Sequence, residues 1–287
     1  MTRRTAVALV VALTGCGVAV VAAAAVASGS ARGEAPSRAA LAGVNFVNRC
    51  GFSHRAPDDP IVSPGRAGAS HDHTFVGNRT TSAFSTLGSL LIGSSSCDRT
   101  GHTAAYWIPT LLADGRPVEP LGSTIYYRRA TLAAVQPFPT GFRMIAGSAL
   151  APGPQSVQVT SWNCGVRGGV SRTSSVPTCP DRRATTLRLR VTFPSCWNGR
   201  DLDTANHQAH VAYAMRGRCP STHPVAVPAI TLIYRYPALS GASVALASGP
   251  EYSAHADFFN AWNQRTLSSL VEGCLNALRH CGHGSPS

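Results

Sequence analysis

Short apolar runs separated by joints rich in proline and glycine occupy the chain from residue 44 to about residue 250. Proline has no backbone N–H and clashes with the preceding helical turn, so joints such as "QPFPTGF", "APGPQ" and "SVPTCPD" exclude long helices there. The runs themselves, among them "AAYWIPTLL", "STIYYRRATLAAV", "SVQVTSWNC", "HVAYAMR" and "AITLIYRYP", are typical of strands. We therefore expect a mainly β body.

Alternation inside one run predicts which side of a strand faces the core. In "TLRLRVTF" a period of two places Leu187, Leu189 and Val191 on one face and Arg188 and Arg190 on the other. A strand with one apolar and one polar face is typical of an antiparallel sheet that is buried on one side. The pattern predicts an antiparallel sandwich or a jelly-roll-like body.

One soluble helix is predicted, in "DFFNAWNQRTLSSLVEGCLNALRH" near the C-terminal end. Apolar residues recur there at helical intervals: Phe259, Trp262, Leu270, Val271, Cys274, Leu275 and Leu278. Ser253 or Asp257 is a candidate N-cap, which would set His255 just before the start of the helix. We expect this amphipathic helix to pack on the β body.

The N-terminal segment has the features of an export element. "MTRR" precedes an unbroken run of apolar and small residues from Ala6 to Ala27. Three alternatives remain: a cleaved signal ending near "AVASGSA", a membrane anchor through residues 6–27, or a lipoprotein whose "LTGC" motif ends at Cys16. The apolar tail after that cysteine disfavours the lipoprotein. Residues 1–27 are expected to be a signal peptide or anchor, residues 28–43 a flexible spacer, and residues 44–283 a single globular domain. Each alternative predicts a secreted or extracytoplasmic protein.

Cysteine usage agrees with export. Without Cys16, eight cysteines remain: Cys50, Cys97, Cys164, Cys179, Cys196, Cys219, Cys274 and Cys281. An even number in an oxidising compartment predicts four disulfides, although spacing does not reveal their pairing. The sequence contains no C-x-x-C pair, which disfavours a structural zinc knot and a thioredoxin-type site.

The chain is strongly basic, with a formal net charge of +12 and arginine at all 25 basic positions. The arginines are scattered and no basic block is interleaved with aromatic residues, so nucleic acid is not the expected partner. A basic exported protein suits an anionic wall polymer or an acidic polysaccharide better.

Aspartates are unevenly distributed in this charge-poor chain. Six of the nine lie in three histidine-bearing stretches, "HRAPDDPIVSPGRAGASHDH", "RDLDTANHQAH" and "YSAHADF": Asp58, Asp59, Asp72, Asp201, Asp203 and Asp257. Functional sites gather titratable pairs in this way. We expect the three stretches to converge on one polar pocket.

Two of the stretches leave their histidine chemistry open. In "HDH" an extended backbone points His71 and His73 to one face and Asp72 to the other. The two imidazoles could be ligands at one side of a metal site, or a general base and its hydrogen-bond partner. In "HQAH" the side chains of His207 and His210 share a face only if the segment is helical.

The order of eight stretches resembles a known family. "DDPIVSPG", "SHDHTFVGN", "YWIPTL", "GFRMIAG", "FPSCWNGRDLD", "HQAHVAY", "CPSTHPVAVP" and "HADFFNAW" are similar to the domain of unknown function nineteen-ninety-six, a family of exported fungal and actinobacterial proteins. The resemblance covers roughly residues 44–278. It implies a wall or polysaccharide context and no established catalytic role. The lysine-free composition favours an actinobacterial member without an appended module.

The histidines, aspartates and tryptophans of these motifs give the candidate site. The matching positions are Asp59, His71, His73, Asp201, Asp203, His207, His210, His255, Asp257, Trp107, Trp197 and Trp262. The candidate catalytic residues are Asp59, His71, Asp72, His73, Asp203, His210, His255 and Asp257. Trp107, Trp197 and Tyr213 are candidate substrate-binding residues, since aromatic rings can stack on sugars.

Three functions remain open on these residues. A hydrolase acting on extracellular or cell-wall polysaccharide needs two carboxyl groups, and a lyase needs a His or Tyr base with a nearby cation. A metal-binding protein would hold a divalent metal, zinc or copper, at His71, His73, His207 and His210, with His255 as a further imidazole. A non-catalytic glycan binder of the wall would instead have a shallow aromatic groove and dispersed histidines.

Overall fold

The computed structural model describes residues 36–165, 171–180 and 185–284. The expected signal peptide or anchor at residues 1–27 lies outside the described residues, as do residues 28–35 of the expected spacer. The described end of that spacer contains a 3-10 turn, Ala39–Leu41, and the first strand begins at Asn45.

Seventeen strands and two short α-helices are present in the described ranges. The strands are β1 (Asn45–Cys50), β2 (Phe52–Ala56), β3 (His73–Gly77), β4 (Ala105–Pro109), β5 (Leu111–Ala113), β6 (Arg116–Pro117), β7 (Gly122–Arg128), β8 (Arg143–Gly147), β9 (Thr160–Cys164), β10 (Thr186–Thr192), β11 (Cys196–Trp197), β12 (Val211–Ala212), β13 (Val225–Ala226), β14 (Ala229–Pro237), β15 (Val244–Leu246), β16 (His255–Phe259) and β17 (His280–His283). The helices are α1 (Leu87–Leu91) and α2 (Gln264–Leu270), the latter continuing as a π-helix, Val271–Asn276.

Two large sheets form the body. One has six strands in the order β17-β1-β7-β14-β10-β9, and the other has five in the order β2-β3-β4-β16-β8. Neighbouring strands are antiparallel in both sheets, except that β17 pairs with β1 in parallel. Two three-stranded sheets, β12-β11-β13 and β15-β5-β6, complete the described part. The predicted mainly β, antiparallel body with a helix packed on it is confirmed.

The inner faces of the two large sheets share one hydrophobic core. The alternation in β10 is confirmed: Leu187, Leu189 and Val191 are buried in this core. Tyr106 of β4 and Phe258 of β16 belong to the same core from the other sheet, and their rings stack 5.2 Å apart. Full burial of such side chains stabilises the fold by about 1.5–3 kcal/mol each.

The start of the C-terminal helix was predicted too early. His255 to Phe259 form β16, which pairs with both β4 and β8, and all five residues are buried. Helix α2 begins at Gln264, where Asn263 caps it by accepting a hydrogen bond from the Thr266 N–H at 3.0 Å. The apolar run around Phe258 belongs to a fully buried strand, which periodicity does not distinguish from a buried helix. Asp257 is therefore a strand residue and not a helix cap.

Four disulfides join the eight cysteines of the globular part. The pairs are Cys50–Cys97, Cys164–Cys179, Cys196–Cys219 and Cys274–Cys281. Disulfides persist in oxidising compartments, so they suggest an extracytoplasmic protein. None of the helices in the described ranges has the length and apolar composition that a membrane span requires.

Candidate metal centre

The candidate site lies on the outer face of the five-stranded sheet, at one end of β3 and β16. In this sheet Phe75 pairs with Trp107, which pairs with Asp257, so these side chains share a face. A step of two residues along each strand adds His73 and His255 to that face. The loop of residues 57–72 supplies Asp59 and His71, because it returns from β2 to β3 beside the strand ends.

Three imidazoles meet at this end of the sheet. The ring centroids of His71 and His73 lie 4.3 Å apart, those of His71 and His255 lie 5.1 Å apart, and those of His73 and His255 lie 6.0 Å apart. One potential ligand nitrogen of each residue lies within 4.8 Å of the other two. We call these three residues the histidine cluster.

Backbone carbonyls fix the tautomers of two members of the cluster. The Nδ1 atom of His73 lies 3.0 Å from the Asp58 carbonyl oxygen, and that of His255 lies 2.9 Å from the Ser253 carbonyl oxygen. A carbonyl oxygen only accepts, so each Nδ1–H donates and each Nε2 keeps its lone pair. The Nε2 atoms of His71 and His73 are buried without a hydrogen-bond partner in the described part of the chain.

Burial keeps the cluster uncharged. It lowers the pKa of His71, lowers that of His255 to about 4, and lowers that of His73 well below the usual value for histidine. Positive charge on a neighbouring imidazole lowers the pKa of His73 and of His255 further. Near neutral pH all three rings are therefore in the state that coordinates a metal ion.

Two buried carboxyl groups adjoin the cluster. Asp257 is fully buried, and neither of its carboxyl oxygens has a hydrogen-bond partner among the described residues. Asp59 accepts hydrogen bonds from the N–H groups of Ile61 and Val62 at 2.8 and 2.9 Å. Burial raises the pKa of both carboxyl groups, and that of Asp257 is raised further by the charge of Asp59. Ligand atoms of Asp59, His73 and Asp257 also lie within 4.8 Å of one another, so His73 joins the carboxyl pair to the histidine cluster.

A cleft of about 490 Å³ opens beside these groups, and His73, which is fully buried, is the one member that does not line it. Asp59, His71, His255 and Asp257 line it, together with His207 from the loop between β11 and β12. Its remaining polar side chains are uncharged: Ser63, Ser70, Ser148, Asn206 and Gln208. The three histidine-bearing stretches therefore converge on one cleft.

His207 enters the cleft as half of a His–Asp pair. Its Nδ1 atom lies 2.8 Å from Oδ1 of Asp203, whose other oxygen lies 3.8 Å from the Arg143 guanidinium. The backbone of His207 has a φ of 56°, a conformation that residues other than glycine rarely adopt and that occurs often at functional sites. Asp203 therefore orients the His207 imidazole in the way that a carboxylate orients the histidine of a general base.

His210 does not belong to the cleft, which corrects its prediction as a catalytic and metal-binding residue. It is fully buried, with Nε2 at 2.7 Å from the Arg143 carbonyl oxygen and Nδ1 at 3.1 Å from the Thr204 hydroxyl. Both ring nitrogens are occupied, so this histidine joins its loop to β8. The "HQAH" segment is not a helix, and its two histidines therefore separate.

Four of the six aspartates in the predicted stretches do not line the cleft: Asp58, Asp72, Asp201 and Asp203, the last of which contacts the cleft residue His207. Asp72 forms an ion pair with Arg55 at 2.8 Å, on the side of the "HDH" segment away from the two imidazoles. Asp201 pairs with Arg200 at 2.9 Å and accepts a hydrogen bond from Asn198. Neither carboxylate lines the cleft, because each is held by an arginine or amide close to it in the fold.

The predicted aromatic platform is not present at the cleft. Trp107 is fully buried, so neither face of its indole is free to stack on a sugar. Trp197 is half-buried, donates its indole N–H to the Asp201 carbonyl oxygen at 2.7 Å, and packs edge-on against Phe142. Tyr213 lines a separate cleft with Thr192 and Phe193.

The uncharged polar residues that line the cleft, which we call the uncharged rim, were not predicted from the sequence. Ser70 directly precedes His71, and Asn206 and Gln208 flank His207. Their position next to predicted histidines was the signal that could have identified them.

The family known as Domain of unknown function (DUF1996) matches residues 59–262 of the chain. The matched range is more than half of the 287 residues, and it begins at Asp59 and contains the whole histidine cluster. No curated protein and no solved structure shows significant similarity to the chain.

Proposed function

The chain belongs to the DUF1996 family, whose description states no activity, and from the geometry of the cleft we propose that it is an exported, metal-dependent hydrolase of polysaccharide. The divalent metal, zinc or copper, binds at His71, His73 and His255. The observation that carries the proposal is the convergence of three neutral imidazoles on one point at the end of an open cleft.

The donor set supports zinc or copper over calcium or magnesium. Imidazole nitrogen suits zinc and copper, whereas calcium and magnesium prefer oxygen ligands. The hydrogen bonds from Nδ1 of His73 and His255 to backbone carbonyls are the second-shell contacts that orient histidine ligands. Three protein ligands beside a cleft would leave a coordination position for water or substrate.

The buried carboxyl pair supports a cation at the same place. An unpaired buried carboxylate costs several kcal/mol unless a proton or a cation neutralises it. Neither carboxyl oxygen of Asp257 has a hydrogen-bond partner among the described residues, and its nearby titratable groups are the carboxyl of Asp59 and the uncharged imidazole of His73. A divalent ion at the histidine cluster would offset both negative charges.

The reaction follows from what the metal and His207 supply together. A metal held by His71, His73 and His255 would supply a water of lowered pKa as the nucleophile. His207, oriented by Asp203, would take a proton from the attacking water as its oxygen bonds to the anomeric carbon, and would return that proton to the leaving sugar oxygen as the glycosidic C–O bond breaks. The uncharged rim suits a neutral, hydroxyl-rich ligand better than a charged one. Since no arginine is among the described residues that line the cleft, hydrolysis is favoured over elimination on an acidic polymer.

Elemental analysis of the purified chain tests the metal. We expect about one zinc or copper ion per chain, lost in His71→Ala and in His255→Ala. The matched control is His280→Ala, which removes an exposed imidazole from the other large sheet. A chain without metal after purification free of chelators, or equal metal content in all variants, would overturn the metal site.

Incubation with neutral and acidic polysaccharides tests the reaction. We expect new reducing ends from a neutral polymer, abolished by a chelator and restored by the metal. His207→Ala should bind the metal normally but lose turnover. New ultraviolet absorbance would instead indicate elimination, and retention of a polymer without product would indicate a glycan binder.

A further inference from the structure

The outer face of the six-stranded sheet carries five arginines on four adjacent strands. They are Arg49 of β1, Arg128 of β7, Arg235 of β14, and Arg188 and Arg190 of β10. The strand register places them on one face, because Arg188 pairs with Arg235, while Arg49 and Arg190 flank the paired residues Thr124 and Ile233. We call this set the arginine face.

A cleft of about 450 Å³ lies in the arginine face. Arg49, Arg188 and Arg235 line it, and His280 and His283 of the edge strand β17 add two imidazoles. Asp98 is at its margin, where it accepts a hydrogen bond from the Arg49 N–H at 2.9 Å and lies 3.4 Å from His283.

The guanidinium groups of the arginine face are not paired with acidic side chains in the described part of the chain. Within residues 36–165, 171–180 and 185–284, no carboxylate forms an ion pair with any of the five guanidinium groups. The contacts that these groups do make are to uncharged partners: Arg235 donates to the Thr124 hydroxyl at 3.0 Å, and Arg188 donates to the Thr186 hydroxyl at 3.3 Å. Burial, followed by the charges of Arg128 and Arg172, lowers the pKa of Arg190 to about 10.

The direct pairing of Arg188 with Arg235 is informative because it lowers stability. Like charges opposite each other on neighbouring strands are destabilising. Nothing in the hydrophobic core requires them, since both side chains are on the outer face of their strands. A ligand with regularly spaced anionic groups would remove this repulsion.

We propose that the arginine face binds an acidic polysaccharide, with Arg188, Arg235 and Arg49 contacting its anionic groups. The planar guanidinium offers forked N–H donors that match a carboxylate, and arginine also suits sulfate and phosphate substituents. This surface is separate from the metal centre, which is on the other large sheet. The proposal therefore does not depend on the proposed reaction.

The aromatic content of the face favours a polysaccharide over nucleic acid. Tyr126 is the one tyrosine, phenylalanine or tryptophan among the described residues that line this cleft, and the Arg128 guanidinium lies 4.5 Å from its ring centroid. A covered ring offers little surface on which a base can stack, and base stacking is a main contribution to single-strand binding.

Binding of the full chain to polygalacturonate at low salt tests the proposal. Relative to wild type, the double variant Arg188→Gln/Arg235→Gln should bind at least about tenfold more weakly, the loss of one to two charge-assisted hydrogen bonds. The matched control is Arg116→Gln/Arg265→Gln, which removes the same charge from exposed positions outside this sheet and should change binding less than about twofold.

Equal weakening in both double variants would show that net charge, and not this face, attracts the polymer, and would overturn the proposal. Stronger binding to single-stranded DNA than to polygalacturonate at matched charge would overturn it in favour of nucleic acid, and absence of binding to either would overturn it outright. His71→Ala should keep wild-type affinity for polygalacturonate, so failure of the metal centre and failure of this surface are distinguishable.

Discussion

On the outer face of the five-stranded sheet, loops 57–72 and 198–210 cover imidazoles and carboxyl groups, whereas the outer face of the six-stranded sheet leaves its arginines half-buried or exposed. Covering removes water from the first set, so its histidines are neutral and the pKa of both carboxyl groups, Asp59 and Asp257, is raised. Burial also lowers the pKa of Arg128, Arg188 and Arg190 on the arginine face, but the pKa of arginine is high enough that these charges persist at neutral pH. The two faces thus offer different ligand chemistry because histidine loses its charge on burial far more readily than arginine does.

The largest expected effect is the loss of thermal stability when metal is removed from the histidine cluster. A ligand that binds only the folded state at about a thousand times its Kd stabilises it by about 4 kcal/mol. Adding a chelator to the metal-loaded wild type should therefore lower the unfolding temperature markedly, and the same addition to His255→Ala should have no effect. Differential scanning fluorimetry measures this. An identical decrease in the His255→Ala variant would place the metal elsewhere.

The next largest effect is that of substituting Asp257, which should act differently on metal-free stability and on metal affinity. Asp257→Asn removes a buried ionisable carboxyl group without hydrogen-bond partners but leaves a polar amide there, so the metal-free variant should be at least as stable as wild type. Its metal affinity should fall, because the attraction between carboxylate and cation is lost. Urea denaturation with chelator and metal titration without it measure the two effects. A variant less stable than wild type with chelator present would contradict this account.

His102 provides a buried imidazole of a different kind for comparison. It lies in the interior, with Nε2 at 2.9 Å from the Tyr106 hydroxyl, and burial lowers its pKa to about 3. Because the pKa in the folded state is below the unfolded value of 6.5, the unfolded chain binds more protons between these values. The free energy of unfolding should therefore fall as pH decreases from about 6.5, by up to about 1.4 kcal/mol per pH unit from this residue alone.

Urea denaturation of metal-free wild type and His102→Gln at pH 7, 6, 5 and 4 measures that slope. The variant should be less stable at pH 7, since it loses packing against Trp262, but its stability should depend less on pH. Parallel pH profiles for the two proteins would mean that the pKa of His102 is the same in the folded and unfolded states.

The smallest expected effect is on stability, from a substitution on the arginine face. Arg188→Thr removes one member of the like-charged pair and places a β-branched residue in a strand, so it should raise the free energy of unfolding by about 0.2–1 kcal/mol at low salt. High salt should reduce the gain, because ions screen charges that are in contact with water. Urea denaturation at two salt concentrations checks this. A variant that is destabilised at both would show that Arg188 is needed for packing.

Much of the fold was predictable from local patterns. The alternation in β10 depends only on the pleat of a strand, and it assigned Leu187 to the core correctly. The boundary between β16 and α2 was not predictable in this way. His255 to Phe259 become a strand because β4 and β8 lie on either side and supply hydrogen-bond partners that are distant in sequence.

The same distinction applies to the candidate site: spacing within one segment was predictable, and contacts between distant segments were not. The "HDH" spacing predicted that His71 and His73 face the same way, because neighbouring side chains alternate along an extended backbone. The separation of His207 from His210 depended on a loop conformation, with a φ of 56° at His207, that no local pattern indicates. The burial of Trp107 depended on residues distant in sequence, among them Ile61 of loop 57–72 and Leu90 of α1, that belong to the same apolar cluster.

By itself, the sequence determined the mainly β class, the pairing of His71 with His73, and the three stretches from which a site could form, because these depend on backbone geometry and composition along one segment. Only the tertiary structure decided that His255 completes the cluster, that His207 and not His210 enters the cleft, and that five scattered arginines share one face. Each of these depends on strand register and loop packing between distant segments, which sets both the distances between side chains and their access to water.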